Sequence, residues 1–256
     1  EGQNTGSVGV WGKRGLNEPQ DSEVCVKATF SSFLSGMVPS SSLPGSMGAA
    51  ISVLFMHGLE SGPGGSKHRA LIDAFGEEKV ACPDMQMSKL RPDKANSFVR
   101  SLALSLLLNP LSPMRSALRR SLEGCLDAHR PFLRERMDRD SVVVGSSWGG
   151  AVALRALADG DVKGGCLLIA PAYGLCVRTF HGEAAAEEFI KESLYDRLNA
   201  QLSDEQKERC LVVHGTDDDT VPISDSRQLS DATGIELVEI PGGDHRLNDA
   251  LLEGAG

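Results

Sequence analysis

The sequence lacks long basic runs, metal-type cysteine spacing and an apolar stretch long enough to cross a bilayer. Its longest basic runs are pairs such as Arg119–Arg120, and its formal net charge is -9. This balance disfavours nucleic acid and other polyanionic partners. The longest apolar candidate, 98–108, is shorter than the roughly 18–20 residues of a membrane span and contains Arg100. We therefore expect no integral membrane segment.

The six cysteines form neither a C-x-x-C motif nor a zinc-type set with paired histidines. Cys166 and Cys210 lie inside the apolar runs GGCLLIA and RCLVV. Such positions favour reduced, buried thiols in an intracellular, cytoplasmic protein, with disulfides as the alternative. Organelle targeting stays open, because the sequence begins at Glu1 rather than at a methionine. We predict no metal and no other cofactor.

Two regions differ in composition. Residues 1–50 are rich in Gly, Ser and Pro, which predicts a flexible arm, with a possible edge strand at 24–30. Residues 51–256 alternate apolar runs with helical patterns, which predicts a single α/β domain. Because the runs are continuously apolar, we expect a mostly parallel sheet with helices on both faces. The predicted strands are 51–58, 79–85, 141–145, 163–172, 209–215 and 235–243.

Two long helical segments interrupt this alternation, at 88–140 and 173–208. The first could line an acyl channel or form a small lid, but a helix pair that covers the core is the favoured interpretation. The second has the amphipathic composition of one or two helices. Whether it covers the site or packs beside it is left open by the sequence.

The stretch VVVGSSWGG (142–150) places two adjacent serines between a strand pattern and a helix pattern. The turn G-x-S-x-G holds its serine in a strained conformation, so the residues two positions away on each side must be small. Gly145, Ser147 and Gly149 satisfy this spacing. Centring the turn on Ser146 would place valine and tryptophan where glycines are required. Ser147 is therefore the candidate nucleophile, and a plain packing turn is the alternative.

A serine hydroxyl needs a base and an orienting acid, which this turn predicts in the order Ser, Asp or Glu, then His. Both follow at later strand ends: the cluster Asp217–Asp219 after RCLVV, and His245 in GGDHRL after IELVEI. Because adjacent carboxylates repel one another, we expect only one of the three to face the imidazole. Chemistry alone leaves open which one. Asp244 is too close in sequence to orient the ring and is assigned a supporting role.

The remaining requirement is an oxyanion hole, for which two backbone amides are predicted. The residue after the nucleophile, Trp148, supplies one amide. The loop FMHGLESGPGGSK supplies the other, and Leu59 is the natural donor because it follows His57 and Gly58 directly. Gly58 and the Trp148 ring are expected to contact the substrate. His57 is expected to shape the loop rather than act as a base.

Together these motifs resemble the α/β-hydrolase superfamily over 51–250, and HGLESGPGGSK is similar to a branch of small serine esterases and acyl-thioesterases. The resemblance rests on four stretches: MHG (56–58), GSSWGG (145–150), HGTDDDTVP (214–222) and GDHR (243–246).

The superfamily pattern H-G-x-x-D-x-x-V-P selects the acid. In this chain it matches His214, Gly215, Asp218, Val221 and Pro222. The resemblance thus implies a triad of Ser147, Asp218 and His245, with the Leu59 and Trp148 amides as the oxyanion hole.

The resulting hypothesis is a cofactor-free serine hydrolase that acts on a small-molecule acyl ester or thioester. A peptidase or lyase reaction on the same scaffold stays open, since fold does not determine function. A ligand-binding protein without catalysis is a third possibility. Metal-dependent hydrolysis through Asp217–Asp219 is disfavoured, because three consecutive residues cannot easily converge on one ion. No oligomeric state is predicted.

Overall fold

The computed structural model describes residues 51–59, 61–85, 97–108, 113–248 and 251. The predicted arm and its possible edge strand at 24–30 lie outside the described residues. Each of the six predicted strands overlaps an observed one. The strands are β1 (Val53–Met56), β2 (Val80–Ala81), β3 (Val142–Ser146), β4 (Gly165–Ile169), β5 (Cys210–Gly215) and β6 (Glu236–Ile240).

Helices connect these strands. The α-helices are α1 (Ser66–Phe75), α2 (Ser97–Leu108), α3 (Pro113–Pro131), α4 (Trp148–Ala158), α5 (Tyr173–His181), α6 (Glu183–Ile190), α7 (Asp196–Gln201), α8 (Asp204–Glu208) and α9 (Ile223–Thr233). A short 3₁₀ turn (Glu77–Lys79) precedes β2, and wider π-type turns follow α3 (Phe132–Arg136) and α6 (Lys191–Tyr195).

The strands form one parallel sheet in the order β2-β1-β3-β4-β5-β6. The chain runs from β1 to β2 at one edge, then crosses to β3 and continues outward to β6. The order therefore reverses between β1 and β3, which pair from Val53↔Val142 to Met56↔Gly145. In parallel α/β sheets, a ligand crevice opens beyond the carboxyl ends of the strands at such a reversal. Here that point lies between the segments that follow Met56 and Ser146.

Both faces of the four central strands are buried, as the continuously apolar runs predict, while β2 and β6 at the edges are partly exposed. In β1, Val53 and Phe55 belong to one apolar cluster, while Leu54 and Met56 belong to the other. The alternation follows from the two-residue period of a strand. One cluster packs under α1 and the C-terminal Leu247; the other packs under α3 to α7 and α9.

The two helices described within 88–140 contribute differently to the core. Helix α3 buries Leu122 and Leu126 against the sheet side of the molecule, as expected for a core-covering helix. Helix α2 packs on α3 and leaves leucines 104 and 106 to 108 exposed. No helix in the described ranges combines the length and hydropathy of a membrane span.

The cysteines of the described ranges are free thiols, as the sequence predicts. Cys125, Cys166, Cys176 and Cys210 are buried, and Cys82 is half-buried. Burial raises the pKa of Cys210 to about 12, and that of Cys176 to about 12 as well. These thiols therefore remain protonated and serve as small apolar core groups.

Candidate active site

Ser147 occupies the sharp turn between β3 and α4. Its backbone angles are φ 56° and ψ -114°, a region that L-residues rarely adopt. Its amide donates to Ile169 O at 2.8 Å, which fixes the turn to the neighbouring strand. A Cβ atom on Gly149 would lie 1.8 Å from Met56 O, and one on Gly145 would lie 2.7 Å from Gly149 O. The glycines of G-x-S-x-G are therefore required by close backbone approach.

We expect Gly149→Ala to destabilise the fold strongly, because backbone atoms at the end of β1 occupy the space its methyl group needs. Overpacking of this kind costs about 1–3 kcal/mol, occasionally more, and rigid backbone favours the upper end. Gly124→Ala is the matched control: Gly124 lies exposed in α3 with nothing within 4 Å of the added atom. That change should stabilise the chain by about 0.5–1 kcal/mol. Urea unfolding measures both; equal free energies of unfolding for the two variants would contradict the argument.

The side chains of Ser147, His245 and Asp218 form one hydrogen-bonded series. Ser147 Oγ lies 2.9 Å from His245 Nε2, and His245 Nδ1 lies 2.7 Å from Asp218 Oδ2. Because a carboxylate only accepts, Nδ1 carries the proton and Nε2 is left to accept from the serine hydroxyl. The three residues are separated by up to 98 positions in sequence. The fold thus joins residues that the sequence pattern selected from three separate loops.

Asp218 is buried and saturated with donors. Its Oδ1 accepts from the amides of Thr220 and Val221, each at 2.8 Å, and Oδ2 accepts from His245. Burial acts to raise the pKa of Asp218, but the Val221 amide, His245 and the Thr220 amide together outweigh it. The pKa of this carboxyl therefore lies below its usual range. Asp218 remains an anion wherever the imidazole needs a partner.

His214 adds a contact to Asp218 that the sequence analysis did not assign. Its Nε2 lies 3.0 Å from Val221 O and 3.1 Å from Asp218 Oδ2, while Ser226 Oγ donates to Nδ1 at 2.7 Å. Two acceptors around Nε2 place the proton there. His214 is fully buried at the end of β5, and its contacts with Val221 O and Asp218 Oδ2 stabilise the turn that carries Asp218. The four-residue spacing from His214 to Asp218 was the available sequence signal.

The neighbouring carboxylates do not accept from His245. Asp217 accepts from Thr216 Oγ1 and Asp219 accepts from Thr220 Oγ1, both at the exposed surface. Asp244 accepts from the amides of residues 246 and 247 and so shapes the turn that carries His245. Of the cluster Asp217–Asp219, only Asp218 faces the imidazole. The three carboxylates have different surroundings and do not converge.

The two amides predicted for the oxyanion hole lie beside Ser147. A Cβ on Gly58 would stand 3.7 Å from Ser147 Cβ, so the loop after β1 passes directly over the serine. Leu59 and Trp148 line the same pocket as Ser147. Within the described residues, neither amide donates to a protein acceptor.

His57 is a structural residue of this loop, as expected. It is fully buried, accepts from the Met85 amide at Nε2 (2.9 Å), and donates from Nδ1 to Gly58 O (2.8 Å). With both ring nitrogens engaged, His57 fixes the carbonyl of Gly58 and the path of the chain toward Leu59. It has no access to the pocket.

The pocket above Ser147 has a volume of about 920 Å³ and two chemically different sides. One side is apolar and comes from α3, α4 and α5; its main residues are Leu118, Trp148, Leu175 and Phe180. The other side is polar and comes from the first turn of α1 and from the loops around His245; it includes Lys67, Asp217, Asp244, Arg246 and Asn248. The indole Nε1 of Trp148 is buried without a partner among the described residues.

No protein-family model matches this sequence, and no curated protein matches it. Several solved structures are similar to it at low identity. Est1E from Butyrivibrio proteoclasticus is 17% identical with a TM-score of 0.47, covering 79% of this chain and 82% of Est1E.

Two further solved structures extend this likeness. A monoacylglycerol lipase from Paleococcus ferrophilus is 14% identical with a TM-score of 0.41, covering 78% of this chain and 89% of the lipase. The 2-hydroxy-6-oxo-6-phenylhexa-2,4-dienoate hydrolase of Rhodococcus sp. strain RHA1 is 19% identical with a TM-score of 0.42, covering 78% and 85% of the two chains. These similarities concern the fold. The parallel sheet, its strand order and the strand–serine–helix turn give this chain the α/β-hydrolase fold.

Proposed function

We propose that the chain is a serine hydrolase that cleaves carboxylic esters or thioesters. The observation that carries this proposal is the uninterrupted series Ser147 Oγ–His245 Nε2–His245 Nδ1–Asp218 Oδ2 at 2.9 Å and 2.7 Å. A serine hydroxyl is a weak nucleophile unless a base accepts its proton. Here the base is within reach, has the required tautomer, and faces a buried anion.

The reaction proceeds in two halves. His245 takes the hydroxyl proton as Ser147 Oγ bonds to the acyl carbon, and the Leu59 and Trp148 amides hold the resulting oxyanion. His245 then gives that proton to the leaving oxygen or sulfur as its bond to carbon breaks, which forms the acyl-enzyme. In the second half, His245 takes a proton from water as the water oxygen bonds to the acyl carbon. His245 then gives that proton to Ser147 Oγ as the bond from Oγ to the acyl carbon breaks, which releases the acid. Asp218 stabilises the imidazolium in both halves.

The position of His245 orients the substrate in the pocket. Because His245 must protonate the leaving group, that group lies on the polar side, near Lys67 and Arg246. The acyl group therefore lies against the opposite, apolar side, beside Leu118 and Leu175. This arrangement suits an apolar acyl chain joined to a polar alcohol or thiol.

A substrate panel tests the reaction class. We expect turnover of p-nitrophenyl esters or acyl-CoA thioesters and no turnover of aminoacyl amides. The ratio of kcat/KM between ester and thioester with the same acyl chain then identifies the leaving group. Tight binding of acyl compounds without any turnover would instead support a ligand-binding role, and amide hydrolysis would support a peptidase.

We expect Leu175→Trp to shift the preferred acyl chain to shorter lengths, since Leu175 on α5 lines the apolar side. For the longest ester that the unaltered chain hydrolyses well, kcat/KM should fall roughly ten- to a hundredfold, while the acetyl ester is little affected. Leu107→Trp on α2 is the control, because Leu107 is 81% exposed. A uniform loss across all chain lengths would contradict the placement of the acyl group.

A further inference from the structure

The side chain of Lys67, the last residue of HGLESGPGGSK, reaches the turn that carries His245. Its Nζ donates to Arg246 O at 2.5 Å and to Asn248 Oδ1 at 3.2 Å, across about 180 sequence positions. Ser66 Oγ donates to the same Asn248 oxygen at 3.4 Å. The first turn of α1 is thereby tied to the 244–248 turn.

The position of Lys67 is unfavourable by local rules. It lies in the first turn of α1, where the helix dipole disfavours a cation, and the residue is half-buried. Asp244, the acid that faces it, uses Oδ1 for the amides of Arg246 and Leu247. A lysine at a position where the helix dipole disfavours a positive charge indicates a functional role for Lys67 in the site.

The turn that Lys67 holds is itself strained. Leu247 has φ 51°, which is rare outside glycine, and its side chain is buried in the core under α1. Such a conformation persists only where surrounding contacts restrain it. Asp244 restrains the turn from within, and Lys67 restrains it from outside through the carbonyl next to His245.

We propose that Lys67 is a positioning residue that couples the loop bearing the Leu59 amide to the turn bearing His245. Through Arg246 O and Asn248, the Lys67 side chain sets the distance from the imidazole to Ser147. The Lys67 backbone lies in the first turn of α1, which directly follows the loop that bears the Leu59 amide. The ammonium touches neither Ser147 nor His245. This role rests on the proposed function of those two residues.

Replacing Lys67 by methionine keeps the apolar stem and removes the donors. We expect kcat to fall roughly ten- to a hundredfold with KM within about twofold, because small displacements of catalytic groups act on the chemical step. Lys67→Arg should recover part of the loss. Lys163→Met is the matched control, since Lys163 Nζ also donates to a backbone carbonyl, Arg134 O, at 3.1 Å but outside the pocket.

The pH profile separates positioning from general support of the fold. Burial lowers the pKa of Lys67 to about 8, Asp244 acts to raise it, and Arg246 acts to lower it. As pH rises through that value, Lys67 loses its positive charge in the unaltered chain. The ratio of kcat between the unaltered chain and Lys67→Met should therefore fall. Lys67→Arg keeps its charge and should show no such narrowing relative to Lys67→Met.

Hydrogen exchange tests the coupling without turnover. Peptides covering 58–66 and 243–248 should exchange faster in Lys67→Met than in Lys163→Met. Unchanged exchange and unchanged kcat would overturn the role of Lys67, whereas an inert unaltered chain with faster exchange in the variant would overturn only the proposed function. If Lys67→Met fails to fold, Asn248→Ala removes the acceptor instead, with Asn199→Ala, whose oxygen accepts from Lys207, as its control.

Discussion

Ser147→Ala should reduce hydrolysis of the best ester or thioester by roughly 10⁴- to 10⁶-fold, the largest effect we expect of any single substitution. The reason is local: removing Oγ deletes the only atom that lies 2.9 Å from His245 Nε2 in the series described above. The oxyanion donors and the pocket remain, so a residual rate above that of water is expected. A fluorophosphonate probe should label the unaltered chain and fail to label the variant.

Ser146→Ala is the matched control for this prediction. Ser146 ends β3 and pairs with Ile169, so its side chain stands one residue before the turn rather than at its apex. The adjacent serine therefore tests the register of G-x-S-x-G with the same chemical change. Labelling that survives in Ser147→Ala but disappears in Ser146→Ala would show that Ser146 is the nucleophile and would contradict the assignment of Ser147.

The strands and the turn at Ser147 could be predicted because the patterns that indicate them are local in sequence. Continuous apolar runs predicted a sheet covered on both faces, and the observed β1 alternates between two buried clusters. The glycine spacing predicted the turn at Ser147, and the 1.8 Å approach of a Gly149 Cβ to Met56 O is its physical reason. Both features depend on residues near one another in sequence or on a steric rule.

The connections between loops could not be predicted in the same way. The bonds from Lys67 to the 246–248 turn and from His214 to Asp218 depend on which strand ends lie side by side. Similarly, chemistry alone left Asp217, Asp218 and Asp219 equivalent. Their environments separate only when the 214–222 turn folds, because one carboxylate then turns inward to three donors and the others stay at the surface.

The low pKa of Asp218 also predicts a pH effect on stability. A carboxyl whose folded pKa is lowered adds stability that is present above its unfolded pKa, about 3.9, and that is lost as pH falls through the folded value. The unaltered chain should therefore lose unfolding free energy on acidification below about pH 4. In Asp218→Asn this contribution is absent. The difference in free energy of unfolding between the unaltered chain and Asp218→Asn should therefore become smaller at low pH.

Asp218→Asn should lower kcat by about 10⁴-fold while the protein stays folded at neutral pH. The amide oxygen can keep the two bonds from the Thr220 and Val221 amides, which places the NH₂ group against His245 Nδ1. Nδ1 must then accept, so the proton moves to Nε2, the atom that should receive the Ser147 proton. The NH₂ group also meets the Nε2–H of His214 at 3.1 Å, where two donors now oppose each other.

Asp217→Asn and Asp219→Asn are the controls that this chain offers, because they make the same change one residue to either side. Both carboxylates are exposed and each accepts from a neighbouring threonine hydroxyl, so kcat should stay within a few-fold of the unaltered value. The test is to measure kcat of all three variants with one ester at neutral pH. If Asp217→Asn or Asp219→Asn lowered kcat as much as Asp218→Asn does, the loss would be due to the charge of the whole cluster. It would then not be due to the orientation of the His245 imidazole.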